Sequence, residues 1–291
     1  LQSRNLLDPA GQPIERVDRS RLEQFLQDYR PGRGDYTVAT TVRGIADFCR
    51  AAQPEADISW LSRRAGRLMA KAKPVGKKLQ HIAPIPDLQD LGVRLMTEGK
   101  ALVECGRASG AQLYRDGLMI ALLAARPENS RRNLADLRIG HSLRLENGRY
   151  RIVYDGSQTK SYRPIDCNIP AWLEPDLDHY IKVMRPILQG GPCENDEGWL
   201  WIGRRGRRLP ASQITTRISK TTLKHLHRAV SPQRFRDSAA TDIAIHAPEN
   251  VGIIMPVLGH ASHATGEKHY NQATSFEAAQ KYHDLLAKLR R

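Results

Sequence analysis

Ser231-Pro232-Gln233-Arg234-Phe235-Arg236-Asp237, then Val257-Leu258-Gly259-His260, then Glu267-Lys268-His269-Tyr270, are the stretches on which the reading of this chain turns. The first opens a helix with Gln233 and Arg236 on one face at i, i+3 spacing. The other two set a histidine and a tyrosine one short helix apart. A free phenol has a pKa of about 10, so a tyrosine acts as a nucleophile only where neighbouring cations favour its ionised form. Arginine supplies such a charge and a planar fork that matches two phosphate oxygens. A tyrosine in this company is suited to attack a phosphodiester.

The composition agrees with that chemistry. The chain has 291 residues and a formal charge of +14, which points to a polyanionic partner, nucleic acid first among them. No apolar run is long enough to cross a bilayer, so no membrane partner is expected. Cys49, Cys105, Cys167 and Cys193 are scattered without the spacing of a zinc site, and no metal or cofactor is expected. They read as reduced thiols of a cytoplasmic protein. The sequence starts at Leu1 rather than at methionine, consistent with residues missing before it.

Ser20 to Gln27, Tyr36 to Ala51 and Ile58 to Ala70 read as helices, the second from the helical spacing of Val38, Val42, Ile45 and Phe48. They define a small helical domain over residues 1–75, whose Arg63, Arg64 and Arg67 share a basic face suited to phosphates. Residues 76–86, with Lys77, Lys78 and two prolines, read as a linker. Residues 87–291 form a second domain. Its Leu118 to Leu123 stretch is apolar nearly all round, as a central core helix would be. The period then shifts to two at Tyr150 to Tyr154 and Pro164 to Ile169, joined through a polar turn. Trp199 to Ile202 reads as an edge strand before the Arg204, Arg205, Arg207, Arg208 cluster. The fold class is mainly α with a small antiparallel β-sheet.

These motifs together resemble the C-terminal signature of the tyrosine recombinase (phage integrase) family, which reads H-x-x-R, then L-G-H, then tyrosine. The resemblance covers roughly Ile85 to the C-terminus, with a looser likeness of the helical domain to the family's core-binding domain. Gln233 stands where the family has its first histidine; Arg236, His260 and Tyr270 keep the pattern. By this resemblance Tyr270 is the nucleophile that forms a 3′-phosphotyrosyl ester, Arg236 holds the phosphate, and His260 donates to a phosphate oxygen or orients Tyr270. Lys160, on the turn between the two strands, is the general acid for the leaving oxygen. The family's first arginine begins the helix after the core helix, and counting back from Asn133-Leu134 puts Ser130 there. Arg131 or Arg132 takes the role, with Arg126 a weaker candidate, or the arginine is lost at Ser130.

The resemblance further implies a two-domain clamp on double-stranded DNA and a homo-tetramer on two sites. Strands would exchange through a Holliday junction without metal or ATP, with an accessory DNA-bending protein as a further partner. Two other readings share the motif. One is a DNA-binding accessory with a decayed site, favoured by Gln233 and Ser130; the other is a type IB topoisomerase, disfavoured by a C-terminal helix suited to docking on another subunit. That helix, expected over Ser275 to Arg291, carries Phe276, Tyr282, Leu286 and Leu289 on one stripe. Burying each such residue contributes about 1.5–3 kcal/mol. Truncation after Ala273 is therefore expected to spare single-site DNA binding and remove multi-protomer complexes on native gels; assembly equal to the parent's would place the tail in cis.

Overall fold

In the computed structural model of the chain, the residues described are 15–73, 81–129, 131–159, 162, 164–191 and 196–247. Ser130, Lys77, Lys78, Lys160, His260, Tyr270 and the 275–291 helix lie outside them. Two compact units divide at residues 78 and 79.

The first unit is three helices: α1 (Arg19–Tyr29), α2 (Asp35–Ala52) and α3 (Ser59–Lys71). Asp18 caps α1 by accepting from the Arg21 backbone N–H at 2.7 Å, satisfying one of the donors a helix start leaves open. Leu22, Leu26, Val38, Val42, Ala46, Cys49 and Leu61 form its core. Phe48 departs from the expected stripe, being 61% exposed. The small residues Ala46 and Cys49 take the inward face instead, so the stripe is rotated from the one the larger side chains suggest.

The second unit is built on α4 (Ile85–Glu104) and α5 (Ser109–Ala125). Residues Leu118 to Ala124 of α5 are all buried. The two helices approach through glycines: a Cβ on Gly99 would lie 2.6 Å from the Tyr114 backbone N, and one on Gly110 would overlap the Gly99 carbonyl O. Backbones meet where side chains would otherwise hold them apart. A short α6 (Arg131–Ala135) leads to the sheet β1 (Leu143–Glu146), β2 (Arg149–Tyr154) and β3 (Ile165–Asn168), antiparallel in the order β1-β2-β3.

Leu143 pairs with Ile152, and Ile152 with Cys167. On β2, Tyr150, Ile152 and Tyr154 face the core, as the alternation predicts. The first strand escaped the sequence reading, although Asn147-Gly148, both with positive φ (51° and 75°), is a hairpin signal between two strands. Trp199 to Ile202 is not an edge strand of this sheet: it makes only single bridges, Arg138 to Trp199 and Ile202 to Arg208, and Trp201 is buried against Tyr180 at 5.5 Å between ring centres. Its aromatic side chains fill core space.

Helix α7 (Glu174–His179), a π-helical turn (Tyr180–Met184) and α8 (Arg185–Gln189) follow the sheet. The long α9 (Ala211–Leu226) and α10 (Pro232–His246) close the described part of the unit. One buried carboxylate ties these elements together. Asp116 on α5 accepts from Arg115 Nε at 3.0 Å and from Arg217 Nε and Nη2 of α9 at 3.0 and 2.8 Å. Arg115, 1% exposed, also donates through Nη1 to the Ile202 carbonyl at 2.7 Å.

Two outcomes follow from this packing. Gly99→Ala forces a methyl into backbone and is expected to cost about 1–3 kcal/mol in denaturant unfolding. Gly44→Ala, in α2 with nothing within 4 Å, is expected to stabilise by about 0.4–1 kcal/mol. Equal effects would mean that the glycine contact does not set the helix spacing. Asp116→Asn leaves Arg115 buried without its carboxylate and is expected to cost about 3–5 kcal/mol, read from the shift in unfolding midpoint at constant slope; a loss below 1 kcal/mol would show that the pair is well solvated.

Candidate functional site

Helix α10 starts where the sequence places it, because Ser231 is extended and Pro232 has its φ preset for a first helical turn. Gln233 is exposed on that turn, and Arg236 lies one turn further, half-buried. Arg236 does not pair with Asp237 or Asp242. Asp237 accepts from Arg234 Nη1 at 2.6 Å, and Asp242 accepts from the Ile85 backbone N–H. Arg236 instead donates through Nε to the Pro127 carbonyl at 3.0 Å and through Nη2 to the Glu128 carbonyl. Those bonds use one edge of the guanidinium. Burial pulls its pKa below the ordinary arginine value, with the nearby Glu128 charge acting against that.

The turn that receives Arg236 is itself anchored. Arg126 donates through Nε and Nη2 to the Asn168 carbonyl on β3, at 3.0 and 2.6 Å, which occupies it structurally. Burial raises the Glu128 carboxyl above the usual range, opposed by its own backbone N–H, by the charges of Arg126 and Arg236 and by a hydrogen bond with Cys167. Cys167 is pushed up to about 12, first by burial and then by Glu128. A thiol so protonated is a poor nucleophile.

Beside this turn, α6, the start of α10 and the turn after β2 enclose a cleft of about 670 Å³. Arg131, Arg132, Gln233, Thr159, Tyr162 and Thr215 are on its walls. Arg131 and Arg132 open α6 and are both exposed. Arg132 lies 3.6 Å from the Asp136 carboxylate but is 79% exposed, so that surface pair holds it weakly. Thus residues separated by about a hundred positions in the chain, Arg131 or Arg132 and Gln233, share one cavity with the neighbours in sequence of Lys160. Arg236 is not on its walls.

A second cleft, also about 670 Å³, shares Arg132 and Ser157 with the first and adds Arg138, His141, Arg144 and Arg208. Arg138, His141 and Arg144 went unremarked in the sequence because they are isolated there and gathered only by the β1 turn. Arg208 pairs with Asp136 and lies 3.8 Å from the Trp199 ring centre. Arg204, Arg205 and Arg207 are exposed on a tight turn in which Arg205 has φ of 63°. In the first unit, a groove of about 910 Å³ is lined by Arg19, Trp60, Arg63, Arg64 and Arg67. Arg64 is paired with Glu23 at 2.7 Å and Arg63 donates to Ser59 Oγ at 3.0 Å. The net charge of the groove is therefore smaller than its arginine count.

No helix among the described residues is long and apolar enough to cross a membrane. Residues 118–276 match the sequence model described as the phage integrase family. Among curated proteins nothing matches. Among solved structures, the chain is similar to the XerH site-specific recombinase, crystallised bound to palindromic difH substrate as a post-cleavage complex. The TM-score is 0.59 at 18% identity over 92% of this chain and 72% of that one, a likeness of fold. It also aligns with the crystal structure of XerA recombinase at a TM-score of 0.46 and 17% identity, over 92% of this chain and 94% of that one.

Proposed function

The chain belongs to the phage integrase family, the tyrosine recombinases, and from that premise we propose that it is a site-specific DNA recombinase, the integrase of a mobile element. The observation that carries the reading is the single cleft that holds Arg131, Arg132 and Gln233 together with Thr159 and Tyr162, which flank Lys160 in sequence. Cleaving a phosphodiester without metal needs a nucleophile, positive charge on the non-bridging oxygens and an acid for the leaving oxygen. Tyr270 forms the new bond to phosphorus, and the bond from phosphorus to the 5′ oxygen breaks. The phenolic proton of Tyr270 passes to solvent as the phenolate attacks, and Lys160 gives a proton to the 5′ oxygen.

Arg236 and either Arg131 or Arg132 hold the phosphate, His260 donates to it or orients Tyr270, and Gln233 contributes a hydrogen bond without shuttling a proton. The phosphotyrosyl ester keeps the energy of the broken bond, so ligation needs neither ATP nor metal. Strand exchange proceeds through a Holliday junction in a tetramer spanning two sites, aided by a DNA-bending protein. Arg63, Arg64 and Arg67, with Lys77 and Lys78 of the expected linker stretch and Arg204, Arg205, Arg207 and Arg208, neutralise the flanking backbone.

A second reading, a DNA-binding accessory of the same fold with a decayed site, is favoured by one observation: Arg236 spends one edge on the carbonyls of Pro127 and Glu128, while Ser130 and Gln233 depart from the family pattern. A suicide DNA substrate separates the two. The recombinase is expected to form an SDS-resistant adduct in excess EDTA that Tyr270→Phe abolishes. Arg131→Ala or Arg132→Ala, one of the two, is expected to remove the adduct while duplex affinity stays within a few fold, because the contact acts in the transition state. An adduct from Ser130→Arg alone, with none from the parent, would establish the decayed reading, and an adduct surviving in Tyr270→Phe would overturn the assignment of the nucleophile.

A further inference from the structure

Tyr162 is the most exposed large apolar side chain among the described residues, at 82%. It stands on the wall of the cleft that holds Arg131, Arg132 and Gln233. Exposure alone would be unremarkable for a turn residue. The backbone beneath it is not. Tyr162 has φ of 54°, a conformation that bulky residues seldom hold and that persists only where the surroundings impose it.

The surroundings do impose it. Gly156 lets the chain close on itself: a Cβ there would lie 2.6 Å from the Tyr162 carbonyl O. The Tyr162 backbone N–H donates to the Thr159 carbonyl at 3.3 Å. Thr159 Oγ1 donates to the Gly156 carbonyl at 3.1 Å, and the Asp155 backbone N–H to Gln158 Oε1 at 3.0 Å. An internally bonded turn thus presents an aromatic ring, without a core to bury it, at a cavity whose other exposed residues are Arg131, Arg132, Gln233 and Ser157. The ligand such a surface fits pairs anionic oxygens with a flat apolar face: a nucleotide within a strand.

We propose that the Tyr162 ring is a stacking platform for the nucleobase next to the phosphate held by Arg131 or Arg132, fixing the strand's register for cleavage. The inference rests on the recombinase reading of this cleft and adds to it a residue that positions the strand. Stacking is tolerant of base identity because every base has a π-face; in a duplex the base must first leave its stack, so the platform acts on a base unstacked beside the cleavage point, and its loss weakens binding roughly tenfold.

The probe is a duplex recovered by selection from a randomised pool, with 5-iododeoxyuridine substituted in turn at each thymine between the two protected arms. Irradiation crosslinks that base to an aromatic ring stacked on it. In the parent a crosslink is expected on the peptide containing Tyr162, confined to one or two adjacent positions. Tyr162→Phe is expected to keep crosslink and affinity. Tyr162→Asn removes the ring with a residue type that tolerates positive φ; it is expected to lose the crosslink and about tenfold in affinity with an unchanged melting temperature. If the parent binds and crosslinks elsewhere, or Tyr162→Asn binds like the parent, stacking is overturned while the recombinase reading stands. Loss of affinity in Tyr162→Phe would assign the role to the hydroxyl and overturn stacking as well. If no duplex is recovered by the parent, both readings fall together.

Discussion

The carboxylate of Asp116 is the point on which the geometry of the second unit depends. It is buried, and a buried charge is tolerable only with its hydrogen bonds satisfied. Arg115 and Arg217 provide them from α5 and α9, and Arg115 reaches on to the Ile202 carbonyl. Helix α5 runs directly into the Arg126 to Asn129 turn and α6, whereas α9 runs into α10. Clamping α5 to α9 therefore sets the two chain segments that carry Arg131, Arg132, Gln233 and Arg236 beside one another.

From that clamp the cleft assembles in steps. Glycines at the α4 and α5 contact bring the backbones together and leave α5 buried on every side. Arg126 fastens the following turn to β3 through the Asn168 carbonyl, and the turn in turn receives Arg236. The sheet does more than fill space: after β2, Ser157, Thr159 and Tyr162 become the third wall. Electrostatics divides the work. Arg236 is half-buried and bound to carbonyls, whereas Arg131 and Arg132 remain exposed in the cleft. The arginine best held is thus not the one best placed to meet a ligand that enters it.

Much of this was legible in the chain. The apolar run from Leu118 to Leu123 announced a central helix, and alternation over Tyr150 to Tyr154 announced a half-buried strand, because side-chain periodicity reports burial directly. The Gln233 and Arg236 pair was readable as one helical face. Two local readings went astray for a shared reason. Phe48 was placed by its spacing from other large apolar side chains and Trp199 to Ile202 by its apolar character, but in the folded units small residues pack where Phe48 was expected, and Trp201 serves the core.

The sequence by itself determined the helical character and the small sheet, and its charge and short-range spacing supplied the grounds for expecting a polyanionic partner and a phosphodiester-cleaving site. Tertiary structure alone decided that Arg236 is drawn to the Pro127 and Glu128 carbonyls, that Arg138, His141 and Arg144 gather beside Arg132, and that Tyr162 is held outward in the cleft. The first depends on groups about a hundred positions apart meeting through the α5 and α9 clamp, and the other two on the closing of local turns; contacts of either kind leave no periodic trace in the order of residues.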